Sequence, residues 1–197
     1  MNANTIAIGG NKLKKFPTIL FKTNSQVSAL GLNGNGIEEI PKGTFSASKY
    51  SYMMKTLDLT YNKLSKLPDD FNGRNMPFLY GVDVSNNRFT EVPTGPMDAA
   101  TLTVYAVRSQ RDANGNRLLR KWPSNISLCP SLRQFCIGGN DLRKITDTIS
   151  SYIIVFEIKD NPNISLNLSN VCNMIKAGAY LLIYDPEQDI RGCDYVK

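Results

Sequence analysis

The chain has 197 residues, 42% of them hydrophobic, which is enough apolar material for a continuous core. Its 23 Lys and Arg against 17 Asp and Glu leave a formal charge of +6 with no basic or acidic tail, so a charged arm gripping nucleic acid is not expected. Histidine is absent, which removes Ser-His and Cys-His nucleophile pairs and the commonest transition-metal ligand together; no catalytic, cofactor or metal site is expected.

From its first residues the chain repeats itself. TIAIGGNKLKKFP, ALGLNGNGIEEIP, TLDLTYNKLSKLP and GVDVSNNRFTEVP align without gaps. Each has two apolar residues separated by one, an Asn three later, an apolar residue two beyond it, and an apolar-Pro ending. The asparagines are Asn11, Asn35, Asn62 and Asn87, spaced by 24, 27 and 25 residues. FCIGGNDLRKI and FEIKDNPNI then place Asn140 and Asn161 in the same slot. Between Asn87 and Asn140, VYAVRSQRDANGNRLLRKWP is irregular: Gln110 holds the slot and about seven inserted residues follow, over about 110–117. YLLIYDPEQDI makes a possible eighth unit with Asp185 in the slot, and about 170–197 form the C-terminal end.

Physics explains the pattern. Pairs such as Ile6/Ile8, Leu57/Leu59 and Phe156/Ile158 have the period of two that sends both side chains to one face of a short strand. The chain must then turn, and a buried Asn amide bonds backbone groups of its own and the adjacent turn, so successive asparagines stack as a ladder. Proline ends each regular segment with a fixed φ and no N–H to satisfy. One unit cannot seal its own core, so neighbouring strands pair in parallel and the units stack as a solenoid. PKGTFSASKYSYMM and PTGPMDAATL lack a long helical period, so the other side should consist of turns, 3₁₀ pieces and short helices.

Seven to eight such units resemble the leucine-rich-repeat family. The resemblance implies one α/β solenoid over 1–197, a right-handed superhelix with a concave parallel sheet. The irregular unit and the ending NPNISLNLSNVCNMIKAGAYLLIYDPEQDIRGC are similar to C-terminal repeat domains of surface lipoproteins from Bacteroides-type bacteria. That resemblance implies display outside the cell, with signal and lipid-bearing cysteine in a preceding segment. The chain begins almost on the first strand without a polar cap, in keeping with part of a longer polypeptide. No apolar run here is long enough to span a membrane.

Residues between and just after each apolar pair point to the concave face. On the first two strands these are small, among them Thr5, Ala7, Gly9, Ala29, Gly31 and Asn33. Further along, Tyr61 is expected beside Asp58, Asp83 and Asn86 and facing Arg108, with Gln134, Glu157 and Lys159 on the last strands. Tyr and Arg dominate interface energetics, so this cluster is the candidate site for a protein or peptide. The insertion, with Arg111, Asp112 and Asn114, is the second candidate, since loops that depart from a repeat fall on functional edges. Arg108, Arg111, Arg117, Arg120 and Lys121, joined by Arg133, Arg143 and Lys144, suggest a positive patch for an acidic glycan or protein. Nucleic acid is disfavoured because no aromatic platform is interleaved. A structural spacer for a preceding domain is the remaining alternative. Cys136 projects from a concave strand with no activating base, Cys172 and Cys193 form a candidate disulfide, and the DPEQD run lacks the glycine and final Glu of a calcium loop.

Overall fold

The computed structural model describes residues 4–23, 26–123, 126, 129–145, 152–165, 172, 181–183 and 185. Eight three-residue strands follow one another: β1 Thr5–Ala7, β2 Ala29–Gly31, β3 Thr56–Asp58, β4 Gly81–Asp83, β5 Val104–Ala106, β6 Gln134–Cys136, β7 Val155–Glu157 and β8 Leu181–Ile183. They form one parallel sheet in strict sequence order. Its register pairs Ile6 with Leu30, then Leu57, Val82, Tyr105, Phe135 and Phe156, the first apolar residue of every unit. This is the solenoid that the repeat implies. Among the described residues the side away from the sheet carries a helical turn, α1 (Leu20–Thr23), and 3₁₀ turns at Ser51–Met53 and Gly95–Asp98.

The ladder amides run through the interior. Asn62 accepts the Ile37 N–H at 3.1 Å and donates to the carbonyls of Leu32 and Leu59. Asn35, Asn87, Asn140 and Asn161 likewise each tie their own turn to the preceding one. Asn11, on the first turn, is exposed and bonds only within that turn, to Ile8 and Gly9. Gln110 keeps the register despite its longer side chain, accepting from Phe89 N–H and donating to Val84 and Arg108 carbonyls. Leu119 then takes the buried place that Leu64 and Leu142 hold in other units, so residues 111–117 are the insertion. They fold back as a small hairpin closed by an antiparallel bridge from Arg111 to Arg117.

Two groups of rings fill the core. Phe16, Phe21, Phe45 and Phe71 touch in series near the N-terminal end, with Phe45 and Phe71 edge to face at 5.0 Å. Tyr105, Trp122, Phe135 and Phe156 form the second group. Each edge-to-face pair contributes about 0.5–1.5 kcal/mol beyond its area burial. On the convex side Asp70 accepts N–H groups from Gly43, Phe45 and Ser46, stitching one unit to the next.

Candidate functional site

The outward positions form rows because every strand pairs in the same register. One row on the sheet reads Ala7, Gly31, Asp58, Asp83, Ala106, Cys136 and Glu157. Two residues further along each unit lie Gly9, Asn33, Thr60, Ser85, Arg108, Gly138 and Lys159, joined unit to unit by the residues that follow them: Gly34 donates to the Thr60 carbonyl, Tyr61 to Ser85, Asn86 to Arg108, Ser109 to Gly138 and Gly139 to Lys159.

Arg108 is the centre of the charged part. Its Nε donates to Glu157 Oε2 at 2.7 Å and its Nη1 lies 3.8 Å from Asp83 Oδ2. Glu157 is only 7% exposed, so it serves to orient Arg108 more than to meet a ligand directly. Burial is the largest single influence and alone would depress the guanidinium pKa; the bond to Glu157, together with the charges of Cys136, Glu157 and Asp83, outweighs it and raises the pKa. The pair reaches over β6 because Gly138 has no side chain: a Cβ there would sit 2.8 Å from Glu157 Oε1 and 2.9 Å from the Lys159 carbonyl. Cys136 beneath is 1% exposed and burial pushes its thiol up, so it is part of the floor rather than a projecting group. Gln134 turns its amide toward the Cys136 sulfur at 3.5 Å, and Lys159 is exposed.

The residue just before each ladder amide adopts the left-handed backbone conformation. Gly10, Gly34 and Gly139 do so as glycines, but Tyr61 (φ 54°), Asn86 (57°), Ser109 (52°) and Asp160 (57°) do so with side chains. This row forms the rim at the strand exits, and Tyr61 stands on it rather than on the sheet floor. Its ring is 63% exposed. Asp58, expected to flank it, instead accepts the Thr60 hydroxyl at 2.7 Å and the Thr60 N–H, and Asp83 accepts the Ser85 N–H. The conformational row was missed in the sequence, although GGN, NGN and GGN in three of the units carry its signal.

The insertion lies against the same rim. Asp112 accepts N–H groups from Asn114 and Asn116 and the Asn116 amide, so the hairpin has its own internal cap. The Asn116 side-chain bond comes first among the causes that hold the Asp112 carboxyl below its usual range. Arg111 and Asp112 join Asn62, Lys63, Asn86 and Ser109 around a hollow of about 240 Å³, bringing the two predicted candidate regions together.

The expected positive patch is partly neutralised. Arg111 and Arg117 both reach Asp160, and Arg120 and Arg143 both reach Asp141. Arg133 does not join them: it immediately precedes β6, on the strand-entry edge, and lies over the Tyr152 ring at 5.4 Å from its centroid. Cys172 is disulfide-bonded, while Cys193 lies outside the described residues. Asp185 accepts the Asp160 N–H, and no cluster of metal-ligating side chains occurs among the described residues. No described helix is long and apolar enough to cross a membrane.

Comparison with known proteins agrees with this geometry. The Leucine Rich Repeat family model matches residues 53–73. The repeat, the stacked parallel strands and this match make the chain a leucine-rich-repeat protein. Within that class it resembles Bacteroides members. It is 49% identical to a leucine-rich repeat protein of Bacteroides eggerthii, with a TM-score of 0.90 over 97% of this chain and 32% of that one. It is 44% identical to one of Bacteroides thetaiotaomicron, with a TM-score of 0.92 over 99% of this chain and 24% of the other. Keratocan of Coturnix japonica is 29% identical over 147 residues, 69% of this chain and 38% of its own. The chain thus spans a third or less of the two solved structures and under two fifths of keratocan.

Proposed function

We propose that the chain is a non-enzymatic recognition module of a protein displayed outside the cell, binding a protein or peptide across the concave sheet and its strand-exit rim. The observation that carries this reading is Tyr61. A bulky aromatic residue in the left-handed region costs of order 1–3 kcal/mol, and its ring contributes no core contact in return, being 63% exposed. Tyr61 is therefore poorly explained by stability and well explained as an anchor. Arg108, held in place by Glu157 and Asp83, supplies an oriented donor on the same face. Asp58, Asn86, Gln134 and Lys159 complete the proposed contact surface, and Arg111, Asp112 and Asn114 close its rim. The disulfide-bonded Cys172 supports an oxidising compartment.

The test is selection of binders from a random-peptide display library on the full chain, followed by affinity measurements with variants. Selected peptides should weaken at least tenfold with Tyr61→Ala and with Arg108→Ala, and be unaffected by Asp69→Ala on the convex side. Selected peptides indifferent to both concave substitutions would overturn the reading.

A further inference from the structure

Seven large hydrophobic side chains are exposed among the described residues, and four of them lie in two pairs along one edge of the sheet. Phe78 and Tyr80 immediately precede β4, and Tyr152 and Ile154 immediately precede β7. Between the members of each pair lies a buried residue, Leu79 or Ile153, so the chain already alternates here as a strand does, one side chain in and its two neighbours out. The core requires only the middle residue. FLY and YII therefore each turn two large side chains away from the core.

Backbone bonds fasten these positions into a continuous edge. Tyr80 donates to Lys55, Thr103 to Tyr80, Arg133 to Thr103 and Ile154 to Arg133, at 2.7 to 2.9 Å. With strands about 4.8 Å apart, the two apolar islands lie about 15 Å from each other, and Thr103 and Arg133 form the saddle between them. The charge of this edge is mostly positive. The five segments that enter β3 to β7, at 49–56, 74–81, 99–104, 129–134 and 152–155, contain Lys49, Lys55, Arg74 and Arg133, and the acid nearest to them in the chain is Asp98, one residue before the third segment. None of these four cations forms an ion pair among the described residues, and Arg133 bonds only the carbonyls of Pro130 and Leu132 besides lying over Tyr152. The strand-exit rim is the opposite case, since there Arg111, Arg117, Arg120 and Arg143 have carboxylate partners.

We propose that the strand-entry edge of β4 to β7 is a second docking surface, for an extended acidic segment of another protein with two apolar anchors on either side of a carboxylate. Aromatic rings and arginine are the residues enriched at protein interfaces, and Phe78 and Ile154 offer a sugar no hydrogen bond. An extended chain advances about 3.3 Å per residue, so apolar residues about four to five positions apart reach both islands. The carboxylate midway between them meets Arg133. This surface is independent of the concave one, and a partner bound here leaves Tyr61 and Arg108 open.

The full chain is tested by fluorescence anisotropy against two synthetic peptide pools. Both carry apolar residues at positions 1 and 5; one has Asp or Glu at position 3, the other Asn or Gln. The acidic pool should bind at least tenfold tighter, and Tyr80→Ser or Ile154→Ser should each remove most of that difference. Arg133→Glu should reverse the preference toward a third pool with Lys or Arg at position 3, a gain that an unfolded variant cannot give. Equal binding of all pools overturns the proposal, as does loss of acidic-pool binding with Tyr61→Ala but not Tyr80→Ser. Retention on heparin or on vesicles containing phosphatidylserine, without peptide binding, assigns the edge to a glycan or a membrane and overturns it as well. A dimer in sedimentation equilibrium that Tyr80→Ser dissolves overturns it in favour of self-association.

Discussion

Arg108 and Glu157 lie two strands apart and are joined at 2.7 Å across the floor made by Cys136 and Gly138. The strand between them yields because Gly138 has no side chain to obstruct the carboxylate. Glu157→Gln should lower stability by about 1.5–3 kcal/mol, the range for a hydrogen bond to a charged group. Gly138→Ala should reproduce much of that loss by displacing the same carboxylate. In a double-mutant cycle read by urea denaturation, the two losses should be sub-additive, whereas full additivity would show that Gly138 does not act through the pair.

Tyr61 separates stability from binding. With φ at 54°, replacing it with glycine should raise the free energy of unfolding by about 1 kcal/mol, since glycine enters this region without the Cβ penalty. The same change should abolish binding of peptides selected on the concave face. A thermal melt and a titration on one sample would check both, and a lowered melting temperature would show that the ring holds the fold together.

The ladder amides should differ in cost by position. Asn87 accepts from Leu64 N–H and donates to Leu59 and Val84 carbonyls, all buried. Asn87→Ala leaves those groups unpaired, and at about 1–3 kcal/mol for each the variant should lose at least about 2 kcal/mol. Asn11 is exposed and bonds only its own turn; water replaces its amide, and Asn11→Ala should cost under about 1 kcal/mol. Chemical denaturation of the two variants side by side measures the contrast.

Asp70 sets an acid limit. Burial alone would raise its pKa, but the N–H groups of Ser46, Phe45 and Gly43 together outweigh burial and hold it below the ordinary aspartate value of 3.8. A carboxyl lowered on folding stabilises the protein above its unfolded pKa, and that contribution disappears as pH falls through the folded value. Wild type should therefore exceed Asp70→Asn in stability at neutral pH, and the difference should shrink below about pH 4. Melting temperatures of both proteins from pH 7 to pH 2 would reveal it, and parallel curves would show that the carboxylate charge is not what those N–H groups recognise.

The repeat was legible because its determinants are local: an apolar pair two residues apart and an amide three further on are sufficient to impose strand, turn and stack. The insertion was legible for the same reason, as a departure from that spacing at Gln110. Arg108 was singled out, but its pairing with Glu157, 49 residues away, depends on curvature and on the gap at Gly138, which no local pattern reports. The sequence suggested a basic patch by counting arginines, and folding distributed Asp141 and Asp160 among them. The entry edge went unread because FLY and YII look like ordinary core segments until the register shows which single residue of each turns inward.

The two groups of rings in the core have a consequence for how the molecule comes apart. Among the described residues no ring pair joins Phe71 to Tyr105; between them the unit of β4 is filled by Phe89, Val92 and Met97 without a ring-to-ring contact. Units of a solenoid interact only with their neighbours, so cooperativity between its halves must pass through this one layer. The chain should then behave as two cooperative blocks with a seam near β4, visible in hydrogen exchange as two sets of amides with separate opening energies. The proposed docking edge begins on that seam, at Phe78 and Tyr80, so a partner held there would fasten the two blocks together.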